Sequence, residues 1–121
     1  VENMGEYNSL ESLFGKYINE MLRAVRLVVD TGIHYYGWSY KKTYNYCSKY
    51  LFDFDFQIHN QVLRYISDPG QALCYKMGEK IILDILKKEQ SKNNFDIKDF
   101  NEKILENGGI PLFLLKEKFN L

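Results

Sequence analysis

Two stretches hold the residues whose types and spacing could do chemistry. The first, Met21 to Trp38, reads MLRAVRLVVDTGIHYYGW; it sets Arg23, Arg26 and Asp30 on an otherwise apolar helical pattern, then His34 among Tyr35, Tyr36 and Trp38. The second, Asp68 to Lys76, reads DPGQALCYK and places Gln71, Tyr75 and Lys76 a short way after Arg64. Such groups can exchange or donate protons and can grip a carboxylate through a guanidinium fork. Each also has a plainer reading. A lone His34 reads as structural, and Tyr75 as a core tyrosine whose hydroxyl is satisfied by a neighbour. Asp30 lies near the negative end of a helix, where a carboxylate needs compensation, and Arg26 one turn earlier is the nearest candidate. That reading is an ion pair fixing the helix end. Only Arg23, Arg26 and Arg64 among the 16 basic residues are arginine, which marks them for buried or ligand-facing pairs.

Other chemistries find no support. Neither His34 nor His59 has a metal-ligand companion at helical spacing, and no His-Glu-x-x-His occurs. There is no Gly-rich phosphate loop and no nucleophile elbow. His59, in a polar helix start, reads as exposed.

The elements that must position these groups are helices. Asn8 or Ser9 caps the first, with Glu11 in its positive first turn and Gly32 as its expected stop. Leu10, Leu13, Phe14, Tyr17, Met21, Ala24 and Val28 recur at helical spacing beside a second stripe of Ile18, Leu22, Val25 and Val29. So wide an arc predicts a central helix covered on most sides. Ser39 caps a second helix, Tyr40 to about Tyr50. The Phe52–Phe56 alternation reads as a turn capped by Asp53 or Asp55, because no partner strand is in sight. A third helix runs from about Phe56 to Ile66 with Ile58, Val62, Leu63 and Ile66 inward, and Pro69-Gly70 ends it. A fourth spans about Gln71 to Gln90. Asp96 caps a fifth, Gly108-Gly109 closes it, and Pro111 opens a short last one. The prediction is all-α, five to six helices in an irregular bundle.

At 121 residues the chain is expected to form a single domain, 1–121. Its 16 basic and 16 acidic residues cancel, which argues against nucleic acid and anionic membranes as partners. No apolar run is long enough to span a bilayer and no targeting segment is visible, which favours a cytoplasmic setting. Cys47 and Cys74 fit neither a disulfide framework nor a metal spacing and read as buried free thiols.

At MLRAVRLVVDTGIHYYGWS and RYISDPGQALCYKMG the sequence resembles the C-terminal part of the family known as domain of unknown function 885. The tail FDIKDFNEKILENGGIPL resembles that family's closing helices, and the likeness runs from about Met4 to Leu115. The family in turn resembles gluzincin zinc metallopeptidases, helical proteins with a deep substrate cleft, whose zinc ligands and catalytic glutamate lie upstream of the region matched. The resemblance therefore implies zinc in a full-length member, no cofactor in this chain, and a chain that is not catalytic alone. It implies a peptide-like substrate, with His34 and Tyr75 as hydrogen-bond donors to the oxyanion of the transition state. Tyr36, with Tyr35, is a fallback phenol. Arg23, Arg26, Arg64, Gln71 and Lys76 match family positions, either gripping a substrate carboxylate or forming a polar network around the cleft. Cys74, Asn101 and Lys42 depart from the family's usual Ser, His and Gln. The alternative is a non-catalytic helical interaction module, whose uncovered apolar face would favour a homo-oligomer.

Overall fold

A computed structural model describes Gly5 and residues 7–52 and 55–121. The chain is all-α: six α-helices are present and no strand occurs among the described residues. Helix α1 (Leu10–His34) begins where the Ser9 hydroxyl accepts the Ser12 N–H, while the Ser12 hydroxyl accepts the Ser9 N–H. Gly32 does not end it, contrary to the sequence reading, and the helix continues to His34. What Gly32 provides is room. A Cβ there would stand 2.5–2.9 Å from three atoms of the Trp38 ring, and the Trp38 N–H returns to the Gly32 carbonyl at 2.9 Å. The reversal itself is made at Gly37, φ +64°.

Helix α2 (Tyr40–Tyr50) opens on Ser39, whose hydroxyl accepts the Lys42 N–H. Helix α3 (Asp55–Ser67) has Asp55 in its first turn; the Asp53 cap expected before it lies outside the described residues. Asp68–Gln71 then forms a type II turn. The Gln71 N–H reaches the Asp68 carbonyl at 3.4 Å, with Pro69 second and Gly70 third at φ +82°. A 3₁₀ turn at Gln71–Leu73 leads into α4 (Cys74–Gln90). Asp96 caps α5 (Ile97–Leu105) by accepting the Lys98 and Asp99 N–H groups. Pro111 stands just outside α6 (Leu112–Lys118), where its missing N–H costs nothing.

Contacts cluster into two compact units, Val1–Lys76 and Met77–Leu121, the division falling within α4. In the first unit α1 lies against α2, α3 and the 3₁₀ turn, and α2 lies against α3. Val25, Val29, Cys47, Leu51, Ile58, Val62, Tyr65 and Ala72 form its core. Each fully buried aliphatic side chain there stabilises by about 1.5–3 kcal/mol. In the second unit Ile85, Phe100, Leu115 and Phe119 form the core, and Lys88 closes the end of α6 by donating to the Phe119 and Asn120 carbonyls.

Packing departs from the sequence reading in three places. Leu10 (82% exposed), Phe14, Tyr17, Met21 and Val28 form an exposed stripe along α1, while Leu22, Val25 and Val29 face the core. The neighbours in this unit cover only one side of a helix whose apolar arc is wider than that. On α3, Leu63 and Ile66 are exposed and Tyr65 takes the inward place beside Ile58 and Val62. Cys47 is buried, but Cys74 is exposed, because its position opens the first turn of α4. Among the described residues no helix is long and apolar enough to cross a membrane.

Candidate functional site

Three short segments of the first unit bring the expected residues together: the last turns of α1, the last turns of α3, and the Asp68–Tyr75 stretch. Asp30 sets the frame. It is buried (2% exposed), and both carboxylate oxygens accept the Gly70 N–H, at 3.2 and 3.1 Å. The compensation it needs near a helix end comes from this backbone donor. It forms no ion pair with Arg26, so the expected pair is replaced by a clamp across the chain. The clamp pins the type II turn to α1 and so fixes where α4 begins.

Arg26 is thereby left for other work. Its Nε donates to the Tyr65 hydroxyl at 3.3 Å and its Nη2 to Gln61 Oε1 at 3.4 Å; Tyr65 in turn donates to Gln61 Oε1 at 3.0 Å. The face of the guanidinium group lies over the Tyr75 ring, with Cζ 5.0 Å from the ring centroid. Burial pushes the Tyr65 phenol up, with the Arg26 hydrogen bond opposing it. Its proton stays in place to donate to Gln61.

Tyr75 is the exposed centre of the group, 42% accessible. Its hydroxyl accepts from Gln71 Nε2 at 3.4 Å, and Gln71 Oε1 accepts from Arg64 Nη2 at 2.9 Å. The hydrogen bond from Arg64, then that from Gln71, hold the Tyr75 phenol below its ordinary value. The oxygen accepts from Gln71, so its own proton is directed elsewhere. A phenol made more acidic this way is also a stronger donor.

His34 joins from the other end of Tyr65. Its Nε2 lies 2.8 Å from the Tyr65 carbonyl oxygen. A carbonyl only accepts, so Nε2 carries the proton. The other nitrogen, Nδ1, is then the acceptor of the neutral ring.

Of the remaining expected residues, Arg23 and Tyr36 stand apart. Arg23 turns back on its own helix, donating from Nη1 to the Asn19 carbonyl at 2.9 Å. Tyr36 is exposed and packs edge-on against Tyr35, 4.9 Å between centroids. Lys76 follows Tyr75 on α4 and is half-buried. His59 is exposed as read, its Nδ1 2.6 Å from the Tyr40 hydroxyl. Sequence reasoning passed over Tyr65, Gln61 and the Asp30–Gly70 clamp. The first could have been found by carrying the Ile58–Val62 spacing one step further, to Tyr65, with Gln61 one turn before it. In the second unit a concavity of about 320 Å³ is lined by Glu89, Lys92, Phe95, Asp96, Asp99 and Lys103, among others, and none of the expected site residues borders it.

Comparisons with known proteins follow from this geometry. Residues 1–119 match the family described as "Bacterial protein of unknown function (DUF885)". Comparison with curated proteins gives no match. The chain is similar to the crystal structure of "the putative lipoprotein from Colwellia psychrerythraea", at 33% identity and a TM-score of 0.94. That likeness covers 98% of this chain and 21% of the other, so the chain spans about a fifth of the length of the protein it matches.

Proposed function

The chain belongs to the bacterial DUF885 family, and on that premise we propose that it is the C-terminal, cleft-lining part of a zinc-metallopeptidase-like hydrolase. Tyr75 donates a hydrogen bond to the oxygen that gains charge when a peptide carbonyl is attacked. The observation that carries this is the setting of the phenol: open to solvent, accepting from Gln71, which Arg64 holds in turn, faced by Arg26, and left with its own proton to give. Preorganised donors of this kind stabilise charge that exists only in the transition state. His34 donates from Nε2 to the Tyr65 carbonyl and so steadies the end of α3 on which this cluster rests.

The residues here do not fit a zinc site. Among the described residues no group of three or more His, Cys, Asp or Glu could hold a metal ion. On this reading the metal and the base belong to the rest of a longer protein, and the chain in isolation does not hydrolyse peptides. The test is peptide hydrolysis by the natural full-length protein. Tyr75→Phe and His34→Ala are expected to lower turnover strongly while leaving folding intact. Near-normal turnover in both sinks the assignment.

A second reading is favoured by the exposed α1 stripe: a helical interaction module whose apolar face self-associates when it is not covered. It predicts oligomers of the isolated chain, which equilibrium sedimentation would show.

A further inference from the structure

Around Tyr75 two guanidinium groups stand against one carboxylate, the buried Asp30 one turn from Arg26 on α1. Arg26, 9% exposed, gives two of its donors to the neutral oxygens of Tyr65 and Gln61 and lays its face on the Tyr75 ring. Arg64, half-buried, donates to the neutral Gln71, which donates in turn to the Tyr75 hydroxyl. Asp30 accepts only the neutral Gly70 N–H, so its charge balances one guanidinium and leaves the other in surplus. Among the described residues neither arginine forms an ion pair.

Structural arginines at this depth are ordinarily neutralised, since a desolvated charge without a counter-charge is costly. Neutral oxygens and an aromatic face soften that cost without cancelling the charge. Each guanidinium also has donors to spare, having five N–H groups in a fixed fork. Their shared focus is a phenol that is open to solvent and has a proton to donate. Surplus positive charge, unused donors and access coincide at Tyr75.

We propose that Arg26, Arg64 and Tyr75 form a binding site for a carboxylate, and that the ligand is a peptide-like chain ending in a free carboxyl group. This rests on the reading of the Tyr75 cluster as ligand-facing, and names the substrate class for it. The chemistry selects a carboxylate over a phosphate. A planar two-oxygen acceptor suits one guanidinium edge with one phenol. A phosphate dianion needs further donors, and the Gly70 N–H, the backbone donor at this turn, is already occupied by Asp30.

The test is calorimetric titration of the natural full-length protein with an acetylated tripeptide bearing a free C-terminal carboxylate, and with its C-terminal amide. The acid is expected to bind at least about tenfold more tightly than the amide, as loss of a charge-assisted contact implies. Arg64→Gln should bring the acid down to the amide, and Arg64→Lys should restore part of the preference. Should Arg64→Gln fail to fold, Tyr75→Phe deletes one exposed oxygen and should reduce the same preference severalfold. Equal binding of acid and amide, no binding of either, a preference that survives a folded Arg64→Gln, or stronger competition by inorganic phosphate than by acetate each overturns the proposal. Acid preference without hydrolysis keeps the carboxylate site and removes the catalytic reading; hydrolysis without acid preference does the reverse.

Discussion

The surroundings of Tyr75 change the acidity of an otherwise ordinary phenol. The Arg64 and Gln71 side chains beside its oxygen hold its proton affinity below that of a free phenol. The sign of the pH effect follows. The donor exists only while the phenol is protonated, so turnover should fall on the alkaline side, and sooner than for an unperturbed tyrosine. Arg64→Gln removes the largest cause of the shift, and should move that alkaline limb to higher pH even where it also weakens binding. A pH profile of kcat for the two proteins checks this; an unmoved limb would show that Tyr75 does not set it. The cysteines give a second prediction at this scale. Burial pushes the Cys47 thiol up to about 11, whereas Cys74 is exposed. Only a thiolate is nucleophilic, so a maleimide should label Cys74 first and Cys47 only on unfolding. Equal labelling of both in the native protein would contradict the packing of α2.

The helices and turns decide whether these side chains meet. Two glycines carry that burden for different reasons. At Gly32 a methyl group collides with the Trp38 ring, so Gly32→Ala should cost about 1–3 kcal/mol as an overpacked contact. At Gly70 nothing lies within reach of a Cβ, but φ is +82°, so Gly70→Ala should cost about 1–2 kcal/mol through the backbone and loosen the Asp30 clamp. Thermal melts of the two variants measure both costs, and either variant as stable as the parent would refute its explanation. These elements also show what the sequence makes legible. Ser9, Ser39, Asp96 and Pro69-Gly70 announce helix ends because capping and turn chemistry are local. Gly32 misleads as a stop, because its partner Trp38 imposes a requirement that helical propensity does not contain. The Asp30–Gly70 clamp joins residues 40 apart in sequence, and no spacing rule points from one to the other. His34, Arg26, Arg64, Gln71 and Tyr75 stood out by type, but Tyr65 and Gln61, which connect His34 and Arg26, look like ordinary helix residues until α3 is turned the right way.

For the molecule as a whole, the exposed α1 stripe and the short span of the matched protein belong together. Phe14 and Met21, both exposed on one helix face, are apolar groups that a larger body would cover. The isolated chain should therefore self-associate, and Phe14→Glu with Met21→Glu should return it to a monomer of 14.4 kDa by sedimentation. A parent chain already monomeric would remove the stripe as an interaction surface. The central claim concerns the intact protein: Tyr75 gives its proton as a hydrogen bond in the transition state. The direct measurement is kcat and KM for peptide hydrolysis by the natural full-length protein and its Tyr75→Phe variant, both confirmed folded. Loss of one such donor should lower kcat about 10²–10³-fold with KM little changed. A variant within a few-fold of the parent in kcat, or a parent that hydrolyses no peptide at all, would contradict it.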